Sequence, residues 1–228
     1  MYDILFLDLD DTILDFKKAE GIALSKTLRE LGVDPTEALL EQYHHINIAH
    51  WQRLEKGELT RDQVLVGRFR VRFEQLGIPA SPEACAAGYE HNLAIGHYFL
   101  PGALEAVQRL HRRCRLFLAS NGTAAVQDSR LTSAGLYPYF EQIFISQEVG
   151  ADKPSPAYFS RCFARIPDFD PSRAMIAGDS LTSDIRGGLN AGIATCWVNT
   201  RHLPPDPAIR PDYEIASLSQ LELLLDRL

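Results

Sequence analysis

The feature that most constrains the fold is a short apolar run near the start of the chain, Ile4–Leu7, which ends in acidic residues. Four apolar residues are too few for a helix and predict a strand that is buried on both faces. Asp8 and Asp10 follow it, at the end where open α/β sheets carry their chemistry. Two carboxylates this close repel each other unless a cation lies between them. The spacing therefore indicates a metal site, although both acids could instead cap a following helix or turn.

The length and charge of the chain limit its function classes. A chain of 228 residues can form a core domain with a smaller domain attached. Its net charge of -7 provides no basic surface for a nucleic-acid polymer or an anionic membrane, so we expect neither as a partner. No apolar stretch approaches the ~20 residues of a membrane helix, and the start does not resemble a signal peptide. We therefore expect a cytoplasmic protein, with its four cysteines reduced because none has metal-type or paired spacing.

A helical block follows the first strand. From about Lys17 to His97, apolar residues recur at three- and four-residue steps, and no strand-like run interrupts them. The predicted helices end at Gly32, run from Thr36 to Gly57, run from Thr60 to Gly77, and begin at Ser81-Pro82. The histidines of this block that we expect on helix surfaces are His44, His45, His50 and His91. The predicted domains are an α/β core, 1–15 and 98–228, and an inserted all-helical domain, 16–97.

Beyond this block, strands alternate with helices. The predicted strands are Leu116–Ala119, Ile143–Ile145, Met175–Ala177, Thr195–Val198 and Tyr213–Ile215. Two of the helices between them are expected to stop at Gly135 and Gly192. This alternation predicts an α/β fold with a doubly wound, mostly parallel, Rossmann-like sheet.

Polar residues stand where the predicted strands end. They are Asp8, Asp10, Ser120, Asn121, Lys153, Asp179 and Asp184. The carboxyl ends of parallel strands meet at one edge of a sheet, so these side chains should converge. Carboxylates are the hard ligands that Mg²⁺ prefers, and lysine and hydroxyl groups bind phosphate oxygens. Each residue alone could be a cap, a turn or a surface residue, but together they predict a site for a divalent cation and a phosphoryl group.

The order of these residues resembles the four motifs of the haloacid dehalogenase (HAD) superfamily of phosphohydrolases. The motifs are Asp8-x-Asp10-x-Thr12, then Ser120, then Lys153-Pro154, then Gly178-Asp179 with Asp184. The resemblance spans the α/β core, and the helical block looks like the helical cap of that superfamily. It implies that the first strand lies between the second and the fourth, with Asp8 beside Ser120 and Asp179.

The resemblance also implies roles for these residues. Asp8 would be the nucleophile that forms an aspartyl phosphate, and Asp10 would protonate the leaving group and then accept a proton from water. The residues implied to bind the phosphoryl oxygens or to shape the loop around them are Thr12, Ser120, Asn121 and Lys153. An acid at Asp10 favours a phosphatase over a dehalogenase, because a halide leaves without protonation.

The implied cofactor is Mg²⁺. Its ligands would be the Asp8 carboxylate, the backbone carbonyl of Asp10 and the Asp179 carboxylate. Asp184 would act on the metal through water or hold Lys153 in place.

Three segments are similar to the pyrimidine 5'-nucleotidases. They are the run from Glu148 to Pro156, the run from Gly178 to Asn199, and the segment from Asn47 to Trp51 with Gly57. The implied substrate is a small phosphorylated metabolite, a nucleoside monophosphate. Trp51 could stack on the base, but its helical spacing with Ile48 and Leu54 favours a packed core. We expect a monomer or a dimer.

Other functions remain open at this point. They are a phosphatase of small sugar or hydroxy-acid phosphates such as phosphoglycolate, a phosphomutase, and a phospho-acceptor switch like a response-regulator receiver domain. Receiver domains are much shorter than this chain, and they lack a second acidic motif corresponding to Asp179 and Asp184. We therefore place the switch below the enzyme.

Overall fold

A computed structural model of the chain describes residues 2–76 and 80–228. The chain forms two compact units, Met1–Asp15 with Tyr98–Leu228, and Phe16–His97. Gly77, where we predicted the end of the third helix, lies outside the described residues. Within the described residues, no helix combines the length and the apolar character needed to cross a membrane.

A six-stranded sheet forms the centre of the first unit, in the order β3-β2-β1-β4-β5-β6. The strands are β1 (Ile4–Leu7), β2 (Arg115–Ser120), β3 (Gln142–Ile145), β4 (Ala174–Gly178), β5 (Ala194–Val198) and β6 (Tyr213–Ile215). All pairings between these strands are parallel, and Leu7 of β1 lies opposite both Leu118 and Ala177. The α/β fold class and the position of the first strand between the second and the fourth are confirmed.

The helices of the second unit are α1 (Phe16–Glu30), α2 (Glu37–Glu55), α3 (Arg61–Leu76) and α4 (Pro82–Leu93). Those of the first unit are α5 (Ala103–His111), α6 (Ala124–Ser133), α7 (Ser146–Val149), α8 (Pro156–Phe163), α9 (Arg186–Ala191) and α10 (Leu221–Leu225). Gly32, Gly135 and Gly192 follow α1, α6 and α9 with φ angles of 74°, 64° and 70°, which side chains other than glycine rarely adopt. The helix stops predicted at these three glycines are therefore confirmed.

The side chains of β1 alternate between the two faces of the sheet. Leu5 and Leu7 belong to one buried cluster, to which α5 and α10 contribute, and Ile4 and Phe6 belong to another, to which α8 contributes. Helices thus cover both faces, as in a doubly wound sheet. This double burial explains why β1 is an uninterrupted apolar run rather than an alternating one.

The second unit is entirely helical in its described residues. Thr36 accepts a hydrogen bond from the Leu39 N–H at 3.3 Å and caps α2, and Ser81 accepts one from the Ala84 N–H at 3.2 Å and caps α4. Its core contains three packed aromatic rings, Tyr43, Phe69 and Tyr89, with centroids 5.0–5.7 Å apart.

A buried polar cluster joins α1, α2 and α3 in this unit. His44 Nδ1 lies 2.5 Å from Glu20 Oε2, and Asn47 donates to Glu20 Oε1 at 2.7 Å. Arg68 donates to Asn47 Oδ1 at 2.7 Å and lies over the ring of Tyr89. The expectation that His44 lies on a helix surface is therefore wrong, because it pairs with a buried carboxylate that helical periodicity does not reveal.

Candidate active site

The predicted site residues lie at the carboxyl edge of the sheet. Asp8 comes directly after β1, Ser120 ends β2, and Asp179 comes directly after β4. The Asp8 N–H donates to the Ala177 carbonyl at 3.0 Å, which extends the pairing of β1 with β4 to the first acid. The strand order thus brings together residues that lie more than 170 positions apart in the chain.

Lys153 is the centre of the charge network at this edge. Its ammonium donates to Asp8 Oδ1 at 2.8 Å, to Asp184 Oδ1 at 2.6 Å and to the Ala119 carbonyl at 2.6 Å. Burial by itself lowers the pKa of Lys153, but Asp184 and Asp8 raise it above its ordinary value. Lys153 is therefore held as a buried cation between two acidic side chains.

Asn121 holds the backbone of Lys153 in position. Its Oδ1 accepts from the Lys153 N–H at 2.8 Å, and its Nδ2 donates to the Lys153 carbonyl at 2.9 Å. Nδ2 also lies 3.3 Å from Ser183 Oγ. The side-chain amide predicted to bind phosphate thus contacts the loop that presents Lys153.

Three carboxylates form a cluster suited to a divalent cation. Ligand atoms of Asp8, Asp179 and Asp184 all lie within 4.8 Å of one another. Burial raises the pKa of Asp8 to about 8, against the lowering effect of Lys153, and Asp184 and Asp10 raise it further. Burial and the carboxylates of Asp11 and Asp8 raise the pKa of Asp179 well above its usual range. A cation held between these oxygens would remove the repulsion, so this donor set fits Mg²⁺.

Asp10 contacts a different part of the structure. Arg130 donates to its Oδ1 at 2.5 Å, and Gln127 donates to its Oδ2 at 2.7 Å. Gln127 also donates to Ser120 Oγ at 2.8 Å. Sequence reasoning missed Gln127 and Arg130, because their three-residue spacing shows only that they share a helix face and not what that face contacts.

Two further residues contact Asp179. The Arg201 guanidinium lies 3.2 Å from its Oδ2, and the indole N–H of Trp197 donates to its carbonyl at 2.8 Å. Trp197 is buried in β5, whereas Arg201 follows that strand and is partly exposed. Arg201 had no motif to mark it, because it lies in a loop whose position depends on the pairing of β5.

Thr12 is buried just after β1, with 1% of its surface exposed. Among the described residues, its hydroxyl has no hydrogen-bond partner. A buried hydroxyl without a partner carries a desolvation cost, so it is available to a loop atom or a ligand oxygen.

Trp51 lies on α2 of the helical unit and is only partly buried. The guanidinium of Arg61 lies over its ring, 5.5 Å from the centroid. Ile48, which we expected to share a packed core with it, is 37% exposed. The interpretation of Trp51 and Ile48 as packed core is therefore wrong, because Ile48 is exposed and Trp51 is only partly buried.

The arrangement brings together a buried carboxyl group, a lysine, a hydroxyl and a cluster of carboxylates suited to a cation, which are the groups that phosphoryl transfer uses. A family model of haloacid dehalogenase-like hydrolases matches residues 2–192. The chain belongs to this family. The predicted family and the expectation of an enzyme are thus confirmed for this HAD hydrolase.

Known relatives extend the match to nearly the whole chain. The pyrimidine 5'-nucleotidase PynA of Streptococcus pneumoniae is 37% identical over 227 residues, which cover 99% of this chain and 96% of PynA. The pyrimidine 5'-nucleotidase YjjG of Escherichia coli is 32% identical and covers 98% of both chains. The crystal structure of YfnB from Bacillus subtilis, bound to magnesium, matches this HAD hydrolase with a TM-score of 0.95 and 38% identity over 99% of both chains.

Proposed function

We propose that this HAD hydrolase is a magnesium-dependent phosphomonoesterase that forms an aspartyl phosphate on Asp8, and that its substrates are pyrimidine nucleoside 5'-monophosphates. The observation that carries the proposal is the buried contact of 2.8 Å between Asp8 and Lys153, within one cluster with Asp179 and Asp184. This cluster places a nucleophile beside the charges that phosphoryl transfer requires.

The reaction would take place in two half-reactions. In the first, an Asp8 oxygen attacks phosphorus, the bond between phosphorus and the ester oxygen breaks, and the carboxyl group of Asp10 gives its proton to the leaving alkoxide. In the second, water attacks phosphorus, the bond between phosphorus and Asp8 breaks, and the Asp10 carboxylate takes a proton from that water. Inorganic phosphate leaves, and both aspartates return to their starting forms.

The remaining site residues would bind the phosphoryl oxygens and the cation. The Ser120 hydroxyl and the Lys153 ammonium would bind the oxygens, with Asn121 holding the Lys153 loop and Thr12 the loop after β1. The cation would be held by the Asp8 and Asp179 carboxylates and the Asp10 carbonyl, with Asp184 orienting Lys153. When bound, Mg²⁺ offsets the negative charge of the phosphoryl group.

The substrate class rests on the relatives and on the helical unit. PynA and YjjG, both pyrimidine 5'-nucleotidases, match almost the entire chain, including the helical unit. We assign this unit, Phe16–His97, as a cap that selects the leaving group. The partly exposed Trp51 offers an aromatic face to a nucleobase, and stacking on such a face contributes about 1–3 kcal/mol per base.

The test is phosphate release, with and without Mg²⁺, from UMP, dUMP, dTMP, sugar phosphates and phosphoglycolate. We expect turnover only with Mg²⁺, a preference for the pyrimidine nucleotides, and a selective loss of that preference in Trp51→Ala. Preference for a sugar phosphate or phosphoglycolate would overturn the substrate class but not the chemistry.

The variant that tests the chemistry is Asp8→Asn, which keeps the size of the side chain and removes the nucleophile. We expect this variant to fold and to lose turnover. Retention of most of the activity would overturn the role of Asp8. Stable phosphorylation of the wild type by a phosphoryl donor, without turnover, would indicate a switch instead of an enzyme.

A further inference from the structure

We propose that Gln127 and Arg130, called here the α6 pair, are positioning residues that orient the Asp10 carboxyl group for proton transfer. This inference rests on the proposed function, in which Asp10 exchanges protons with the leaving group and with water. Neither residue belongs to the four motifs on which the resemblance in the sequence was based.

The contacts of the α6 pair fix the orientation of Asp10. Arg130 Nη1 donates to Oδ1 at 2.5 Å and Gln127 Nε2 donates to Oδ2 at 2.7 Å, so each carboxylate oxygen has its own donor. Charge-assisted contacts of this length are the stronger class of hydrogen bond. Because one donor binds each oxygen, rotation about either side-chain torsion of Asp10 would break at least one contact.

The burial of Arg130 indicates that its contact with Asp10 contributes more than stability of the fold. Its side chain is 0% exposed, and its guanidinium pairs with the Asp10 carboxylate, whose side chain remains 26% exposed. A buried ion pair is often no more stabilising than well-packed apolar residues of similar volume. An arginine at this position is therefore better explained by the orientation that it imposes on Asp10.

The α6 helix supplies a rigid base for the pair. Gln127 and Arg130 are three positions apart and thus lie on the same face of the helix, and Arg130 also donates to Gln127 Oε1 at 2.9 Å. Val126 and Leu131, beside them in the sequence, are buried and anchor the helix. The pair therefore acts as one unit whose position is set by the core.

Gln127 also connects Asp10 to the phosphate end of the site. Its Nε2 lies within hydrogen-bond distance of both Asp10 Oδ2 and Ser120 Oγ, at 2.7 Å and 2.8 Å. Glycine at position 122 permits this approach, since a Cβ there would lie 2.3 Å from Gln127 Nε2. Through Gln127, the α6 pair thus contacts both Asp10, the expected acid, and Ser120, the expected phosphate ligand.

Loss of this orientation should slow the step that needs Asp10 as an acid. General acid catalysis contributes roughly 10²–10⁴-fold, and small misplacements of a catalytic group can cost about 10²-fold. We therefore expect kcat/KM for a nucleotide, whose alkoxide is a poor leaving group, to fall by about 10–100-fold. For p-nitrophenyl phosphate, whose phenolate leaves readily, the fall should be much smaller. The parameter kcat/KM is the right one because it covers the steps up to departure of the leaving group.

The test uses Gln127→Met, Arg130→Met and Gly122→Ala, the last of which displaces Gln127 without altering either member of the pair. Each is measured with UMP and with p-nitrophenyl phosphate, in the wild-type and in the Asp10→Asn background. Gln108→Met is the matched control, because Gln108 lies in the same unit and donates to Tyr139 Oη at 3.0 Å, away from the site. We expect the control to match the wild type on both substrates.

The expected result is a selective loss on UMP that largely disappears in the Asp10→Asn background, because the pair acts through Asp10. An equal loss on both substrates, or a loss that adds in full to that of Asp10→Asn, would overturn the inference. If Arg130→Met does not fold, Gln127→Met and Gly122→Ala decide the matter by the same criteria. Absence of wild-type turnover on both substrates would overturn the proposed function itself, whereas wild-type turnover with a non-selective loss overturns only the role of the α6 pair.

Discussion

The sharpest prediction concerns the buried ammonium of Lys153. In Lys153→Met the new side chain keeps the apolar stem, so little volume is lost, but the charge disappears. Asp8 and Asp184 then lose the donor that lies 2.8 Å and 2.6 Å from their oxygens. Both carboxyl groups are buried, with 7% and 1% of their surface exposed, so we expect water to replace little of the lost contact.

The expected cost follows from this geometry. Removing one partner of a buried ion pair destabilises a protein by about 3–5 kcal/mol, because the remaining charge stays buried without compensation. In a chain of this size each kcal/mol lowers Tm by about 2–4 °C, so we expect a decrease of about 6–20 °C. Phosphate release should also be lost, since Lys153 is an expected ligand of the phosphoryl group.

The assay is thermal unfolding in EDTA, so that no divalent cation compensates the carboxylates. The chain has two tryptophans, and in a Trp51→Phe background the buried Trp197 reports the unfolding of the α/β unit alone. Arg210→Met is the control, because Arg210 is an exposed cation of the same unit and its replacement should change stability by no more than about 0.5 kcal/mol. A Tm of Lys153→Met within 2 °C of the control would refute the reasoning from buried charge.

Two further predictions concern the metal cluster and the thiols. Mg²⁺ at a hundred times its Kd should raise the free energy of unfolding of the wild type by about 2.7 kcal/mol. This increase should largely vanish in Asp179→Asn but persist in Asp226→Asn, which changes an exposed acid elsewhere in the unit. An unchanged increase in Asp179→Asn would remove Asp179 from the ligand set. Burial raises the pKa of the Cys85, Cys162 and Cys196 thiols to about 12, so at pH 8 these residues form almost no thiolate. The folded protein should therefore incorporate iodoacetamide at no more than one cysteine, Cys114, which is only partly buried. Modification of the other three cysteines before unfolding would contradict their burial.

The strands and the helix ends followed from local patterns. The apolar run Ile4–Leu7 predicted β1 with its observed bounds, and Gly135 and Gly192 marked the ends of α6 and α9. These features depend on neighbours within a few residues, such as the length of an apolar run or the need for a positive φ angle. The alternation of predicted strands and helices after the helical block predicted a doubly wound sheet with its polar residues along one edge.

Some side chains could not be placed by pattern. Trp51 and Ile48 share a helical spacing, but this spacing shows only that they share a face of α2, not whether that face is covered. His44 likewise depends on Glu20, a residue of another helix, for its buried partner. Asn121 was expected to bind phosphate or to shape the loop, and the sequence did not indicate that its amide contacts the backbone of Lys153, 32 positions further along the chain.

The sequence by itself determined the fold class, the family, and which residues meet at the carboxyl edge of the sheet, because parallel strands with helical connections direct their carboxyl ends to one side. The tertiary structure alone decided how those side chains pair. Asp10 contacts Gln127 and Arg130, 117 and 120 positions away, while Asp8 and Asp184 share Lys153. The physical reason is that a hydrogen bond or an ion pair depends on atoms within about 3 Å of each other. Local periodicity specifies the face of a helix or strand, whereas only the packing of distant elements brings particular oxygens and nitrogens to that distance.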